Sequence, residues 1–296
     1  MFCFPNSKTP VIFQGVTSEM GLYQLEKALA YGTNVVAGIS QESHLTNLMG
    51  IPVFNQVKQA VKKYAPKISV IFSTPAHALE DVIQAAKAGI PLIICTTEHV
   101  PMHDALKMKM VAKENGVQLL GPSSNGILNV DQALVGTLPS HLFKSGKVAI
   151  VGRSSSLIYE AVSQLNEQGL GVSKCVTLGT DHLIGTTFVP VVQSLLKDKT
   201  SEIILIIGQI HGQLEQELAD FIKTQKKHKK IFAYIPGRFL NRSTKRPLLG
   251  MESVLFSDII EQKKLAFEKA NINFIENVDE IGQKIFNSMK QKKGKQ

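Results

Sequence analysis

The stretch Gly152-Arg153-Ser154-Ser155-Ser156 puts a cation and three hydroxyl donors behind a residue small enough for a tight turn. An apolar run, Val148-Ala149-Ile150-Val151, enters it. An amphipathic segment from Tyr159 to Gln168 leaves it. That order is strand, turn, helix. The first N–H groups of a helix have no carbonyl partner within it, and the aligned peptide dipoles favour negative charge at that end. The chemistry offered is anion binding, and Arg153, Ser154, Ser155 and Ser156 read as a phosphate seat. The plainer alternative is an ordinary turn capped by serine. A second loop of this kind follows Val11-Ile12-Phe13. It runs Gln14-Gly15-Val16-Thr17-Ser18-Glu19-Met20-Gly21, with Gly15 and Gly21 as brackets. Strand, glycine-bounded loop and helix is the start of a dinucleotide-type fold. His44, His77, His99 and His103 fall on loops of the first half without metal-ligand spacing. They read as polar loop groups, and no metal site is expected.

These loops need elements to hold them. In the first half, apolar runs at 34–39, 68–72, 91–95 and 117–120 alternate with helical patterns at 57–64, 78–88 and 103–115. Near-continuously apolar strands alternating with helices predict a parallel sheet covered on both faces. Ligands of such sheets sit at the carboxyl ends of the strands. The loops at 15–21, 73–77, 96–99 and 121–126 are therefore expected to converge. Residues 123–146 lose the periodicity and read as a connection. A second alternation begins at 148 and runs to a last helix near 278–290. The fold class expected is α/β, two doubly wound units in tandem. The domains expected are 1–125 and 147–296, with 126–146 as linker.

The totals agree. A chain of 296 residues suggests two domains, and 44% hydrophobic residues fit an ordinary α/β protein. Cys3, Cys95 and Cys175 lie far apart, which suggests buried thiols in a reducing compartment. No apolar run approaches the roughly 20 residues of a membrane span. The first nine residues are too short and mixed for a signal peptide. A soluble, cytoplasmic protein is expected. The net charge of +9 is concentrated at Lys223, Lys226, Lys227, Lys229 and Lys230, and at Lys290, Lys292, Lys293 and Lys295. Without interleaved aromatics these read as solvated ends rather than a nucleic-acid surface.

At this point the chain resembles the α subunit of succinyl-CoA synthetase over roughly residues 10–288. The stretches that carry the resemblance occur in order. They are Gln14-Gly15-Val16-Thr17 with Gly21, Ala30-Tyr31-Gly32-Thr33, Gly50-Ile51-Pro52-Val53-Phe54-Asn55 and Thr97-Glu98-His99-Val100-Pro101. Gly121-Pro122, Gly146-Lys147-Val148, Arg153-Ser154, Tyr159-Glu160-Ala161 and Ile207-Gly208 follow. The resemblance implies an N-terminal Rossmann-like CoA-binding domain followed by a flavodoxin-like ligase domain. It implies CoA contacts at Thr17, Ser18, Glu19, Met20, Ser43, Thr96, Thr97 and Glu98. It also implies a phosphate turn at 153–156, with Tyr159 toward the substrate. A β subunit would supply the ATP or GTP site in an αβ heterodimer or larger assembly.

The sequence also departs from that family. Its phosphorylated histidine lies in a Lys/Arg-Arg-Met-Gly-His-Ala-Gly-Ala motif. The corresponding stretch here is Lys245-Arg246-Pro247-Leu248-Leu249-Gly250-Met251-Glu252-Ser253, and residues 229–296 contain no histidine. An imidazole nitrogen is needed to form the phosphoramidate, and leucine or methionine offers no nucleophile. The glutamate that holds that histidine lies in Gly-Glu-Ile-Gly-Gly, which here is Gly208-Gln209-Ile210-His211-Gly212. Gln209 is near in shape but neutral. Glu19 brings a carboxylate to the first loop, and Ser43 stands where a lysine is expected. Three readings follow: a CoA- or nucleotide-binding homologue without phosphohistidine transfer, regulatory or paired with a β-like chain; an active acid–CoA ligase α subunit with altered residues, His211 being the one candidate for a relocated phosphate acceptor; and a non-binding interaction scaffold.

Overall fold

The computed structural model describes residues 2–41, 44–226, 228–237 and 256–293. They divide into two compact units, Met1–His141 with Lys174–Thr187, and Leu142–Ser173 with Phe188–Gln296. The first unit opens with β1 Val11–Gln14, α1 Glu19–Ala30, β2 Val35–Ile39, β3 Asn47–Leu48, β4 Ile51–Phe54 and α2 Val57–Tyr64. It continues with β5 Ile68–Ile71, α3 Pro75–Lys87, β6 Leu92–Cys95, α4 Met102–Glu114 and β7 Gln118–Leu120. The sheet order is β3-β4-β2-β1-β5-β6-β7. All its pairings are parallel except β3 with β4. The chain runs outward from β1 on one side, then returns to build β5 to β7 on the other. The β1–β5 boundary is thus the switch point where such sheets open a crevice.

All four positions of β1, β5 and β6 are buried. This burial of both faces is what their unbroken apolar runs predict. Ile12, Ile39, Ile71 and Ile93 pack with Ala78, Val82 and Ala85 of α3 in one core. Pro75 starts α3 at a position where its missing N–H costs nothing. Two strands, β3 and β4, were not expected, because a two-residue and a four-residue strand are too short to show a period.

The stretch read as a connection carries strands, β8 Gly126–Asn129 and β9 Ala133–Gly136. They pair antiparallel with Gly126 opposite Gly136. A Cβ on Gly126, at φ +87°, would lie 2.0 Å from the Val135 carbonyl oxygen, so only glycine fits. A short 3-10 turn, Ser140–Leu142, leads into β10 Ser145–Gly152, α5 Ser155–Glu167 and β11 Val172–Thr177. Residues 174–176 of β11 pair antiparallel with β8.

The second unit adds α6 Phe188–Lys197, β12 Ile203–Ile207, α7 Leu214–Lys223 and β13 Lys230–Tyr234, then α8 Phe256–Lys269, β14 Asn273–Ile275 and α9 Ile281–Lys293. Strands β10, β12, β13 and β14 are parallel neighbours in that order. The architecture is α/β throughout. Among the described residues no helix is long and apolar enough to cross a membrane. Cys95 and Cys175 are buried as expected, but Cys3 is exposed.

Candidate functional site

In the first unit, four loops leave the carboxyl ends of β1, β2, β5 and β6. Ser18 caps α1: its Oγ accepts from the Gly21 N–H (3.0 Å) and donates to the Gly15 carbonyl (2.8 Å). The turn is so tight that a Cβ on Gly21 would meet the Gly15 oxygen at 2.2 Å. Thr17 Oγ1 and Ser40 Oγ lie 2.8 Å apart, joining the β1 and β2 loops. A cavity of about 300 Å³ opens here, lined by Gly15, Thr17, Ser18, Ser40, Gln41, Ser73, Thr74, His77 and Asp81. That volume is at the small end for ligand sites.

Asp81 is the charged group of this cavity, and it is 5% exposed. Its carboxylate accepts from the Ser73 hydroxyl and from Gln41 Nε2 (3.3 Å). Burial pushes its pKa above the ordinary value; the Ser73 bond and nearby His77 pull the other way. Beneath it, Gln14 Nε2 donates to Ser69 Oγ (2.9 Å) and to the Asp81 carbonyl (3.1 Å), fixing α3 to the strands.

The expected contact residues divide around this cavity. Thr17 and Ser18 line it. Glu19 and Met20 are the first residues of α1, are exposed, and are not among the lining residues. Thr96 Oγ1 donates to the Ile71 carbonyl (2.6 Å) and Thr97 Oγ1 to the Ser73 carbonyl (2.8 Å). Their hydroxyls hold β5 and β6 together at the crevice rather than facing the cavity, and Glu98 is exposed. Ser43 lies outside the described residues, as does the whole stretch Lys245 to Ser253.

In the second unit the turn after β10 and the loop after β12 meet. The Arg153 N–H donates to the Ile207 carbonyl (3.0 Å), and Arg153 is 4% exposed. Ser154 stands at the N-cap of α5 without a side-chain cap bond, so the serine-capped alternative does not describe this turn. Ser154 and Ser155 are half-buried and Ser156 is exposed; Tyr159 and His211 are also half-buried.

The loop 208–212 is braced by a fully buried ion pair. Lys263 Nζ donates to Glu215 Oε2 (2.6 Å), to the Gln209 carbonyl (2.7 Å) and, at 3.4 Å, to the His211 carbonyl. Glu215 Oε1 accepts the Gln209 N–H (2.8 Å). Burial lowers the Lys263 pKa against the pull of Glu215, and the charge of Arg153 lowers it further. Arg153 and this loop therefore share one electrostatic environment. Sequence reading missed Asp81, Glu215 and Lys263. The available signal was a charge on the apolar stripe of a helix, as in Ala78, Asp81, Val82, Ala85 and in Glu215, Leu218, Ala219, Ile222.

Two α/β units with polar loops at the carboxyl ends of their parallel strands define the class: a two-domain α/β protein with crevices at its strand ends. Residues 6–99 match the CoA binding domain family, and residues 145–282 match the succinyl-CoA ligase like flavodoxin domain. The chain belongs to the succinate–CoA ligase α-subunit family. It is 37% identical over 287 residues to the ADP-forming succinate–CoA ligase α subunit of Aquifex aeolicus, covering 96% of this chain and 94% of that one. It is 38% identical over 232 residues to the ADP-forming succinate–CoA ligase subunit alpha 2 of Archaeoglobus fulgidus, covering 78% of this chain and 80% of that one. Among solved structures, ATP citrate lyase from Methanothrix soehngenii in complex with citrate and coenzyme A superposes with a TM-score of 0.84 at 18% identity. That match covers 99% of this chain and 52% of the lyase, so this chain spans about half the lyase's length. A dinucleotide-forming acetyl-coenzyme A synthetase of Ca. Korarchaeum cryptofilum gives 0.75 at 19% identity, over 92% of this chain and 58% of that one. At such identities the likeness is one of fold.

Proposed function

We propose that this chain is a succinate–CoA ligase α-subunit homologue that binds a CoA-type ligand in its first unit and no longer transfers phosphate through histidine. The observation that carries the proposal is the joint replacement of two chemical partners. The histidine stretch reads Lys245 to Ser253 with no imidazole, and the glutamate position is Gln209. Loss of the histidine removes the nucleophile, and loss of the glutamate removes the charge that would steady an imidazolium in its place.

The proposal keeps residues 1–125 as the binding domain, 126–146 as the link and 147–296 as the ligase-like domain. The matches at 6–99 and 145–282 support the two ends of that division, while β8 and β9 within the link pack into the first unit. Thr17 and Ser18 contact the ligand from the cleft; Thr96 and Thr97 hold the crevice open behind it. Arg153 with Ser154, Ser155 and Ser156 retains an anion seat, and Tyr159 lies one turn into the helix behind it. The partner is a β-like chain, and ATP or GTP engages only through that partner. The protein works in the cytoplasm. The cleft suits a nucleoside, since its hydroxyls, amide and carboxylate can bond ribose hydroxyls, and its volume fits part of such a ligand.

A second reading has one observation in its favour. His211 lies on the loop that the Glu215–Lys263 pair holds beside Arg153. It would make His211 a relocated phosphate acceptor. The test is a labelling experiment on the chain purified with whatever β-like partner accompanies it. After addition of γ-labelled ATP or GTP, acid-labile and base-stable label on this chain is scored. No label from a complex whose partner binds nucleotide is the expected result. Label that disappears in His211→Asn would overturn the proposal in favour of the ligase reading. A chain that also binds neither CoA nor its analogues would be the interaction scaffold.

A further inference from the structure

The cleft of the first unit has a charge problem as a CoA site. Coenzyme A carries a phosphate monoester on its ribose 3′-oxygen, a group that needs cations or several free N–H donors. Among the described lining residues there is no lysine or arginine. The charged group that does line it is the Asp81 carboxyl, nearly inaccessible to bulk solvent and so poorly screened. The two residues that follow Gln41 in the chain, Glu42 and Ser43, are not basic either. The positive end of α1, which could otherwise receive an anion, already has the Glu19 carboxylate in its first turn. Lys58 and Lys87 line a neighbouring cavity that shares Gln41, but they are exposed and stand there with Glu80.

What the cleft does offer is a set of hydroxyls, the Gln41 amide, the His77 imidazole and one carboxylate. Ser18 spends its hydroxyl on the α1 cap, but Thr17 and Ser40, bonded to each other, and Thr74, 3.1 Å from His77 Nδ1, each keep capacity to donate or accept, and an ionised carboxylate only accepts. That is the complement of a sugar diol, whose hydroxyls must donate. Ser73 and Gln41 already satisfy part of Asp81 and hold it in one orientation toward the cavity lining.

We infer that this cleft takes a CoA-type ligand whose ribose hydroxyls are free and discriminates against one bearing the 3′-phosphate. The inference rests on the reading of the first unit as a CoA-type site and names the form of ligand that site selects. Isothermal titration of the full chain, with its partner where one co-purifies, against CoA and against 3′-dephospho-CoA tests it. The dephospho form should bind at least about tenfold more tightly, the size of effect that one unfavourable charge contact produces. Asp81→Asn should bring the two affinities to within about threefold, chiefly by improving CoA. Ser73→Ala, which unmasks the carboxylate without removing it, should widen the gap and provides a second variant if the first folds poorly. CoA binding as tightly as the dephospho form, or a preference that neither variant moves, overturns the inference and leaves the CoA-site reading standing. Binding of neither ligand sinks both.

Discussion

Asp81 occupies a place on α3 where the repeat Ala78, Val82, Ala85 calls for an apolar side chain. Its carboxyl is taken from water, so its protonated form is favoured in the folded chain. Between the ordinary value and the raised folded value, the folded chain holds the extra proton. Stability contributed by that proton is complete below the ordinary value and is lost as pH rises through the folded one. Asp81→Asn removes this dependence. Its melting temperature relative to the parent should climb as pH is raised from about 4 to about 8, with no advantage at the acid end. A difference constant across that range would place the carboxyl in water. Burial acts likewise on the thiols: it pushes Cys95 up to about 12 and raises Cys175 as well. Their burial follows from their strands and was readable, since Cys95 ends the run Leu92-Ile93-Ile94. The exposure of Cys3 was not, because a segment before the first strand carries no periodicity.

At the level of elements, the helices were the most legible. α2 falls at Val57–Tyr64, where the pattern places it, and α3 to α5 fall within a few residues of expectation. Strands β8 and β9 escaped because their pairing with each other and with β11 is a tertiary event, and four residues hold too little pattern. Helices α7 and α8 meet through Glu215 and Lys263, which are 48 positions apart. Each is fully buried, so each needs the other. Glu215→Gln or Lys263→Met alone should cost about 3–5 kcal/mol, since either leaves a buried charge without its counterpart. The double variant should cost clearly less than the sum, as read from denaturant unfolding in a double-mutant cycle. Additive costs would mean that water, not the partner, neutralises these groups.

For the molecule as a whole, the +9 charge is less available than its total suggests. Lys223 pairs with Asp220 (2.8 Å), Lys229 donates to the Leu195 carbonyl (2.7 Å), and Lys230 donates to Ser288 Oγ (2.9 Å). Lys229 and Lys230 tie elements of the second unit together, while the Lys223 pair lies within α7. The proposed division of labour predicts that ATP or GTP at millimolar concentration leaves the melting temperature of the isolated chain unchanged. A CoA-type ligand should raise it by mass action. A nucleotide-induced rise in the isolated chain would show a site of its own and remove the need for a β-like partner. The sequence by itself determined the α/β class, the family and the absence of a histidine from 229–296. Apolar periodicity reports burial locally, and a missing residue type is visible without any fold. Only the tertiary structure decided that Asp81 lines the first cleft, that Thr96 and Thr97 spend their hydroxyls on neighbouring backbone, and that Glu215 and Lys263 hold the loop of Gln209 and His211. Those facts depend on which strand ends become neighbours, and adjacency across a parallel sheet is set by long crossovers rather than by any spacing along the chain.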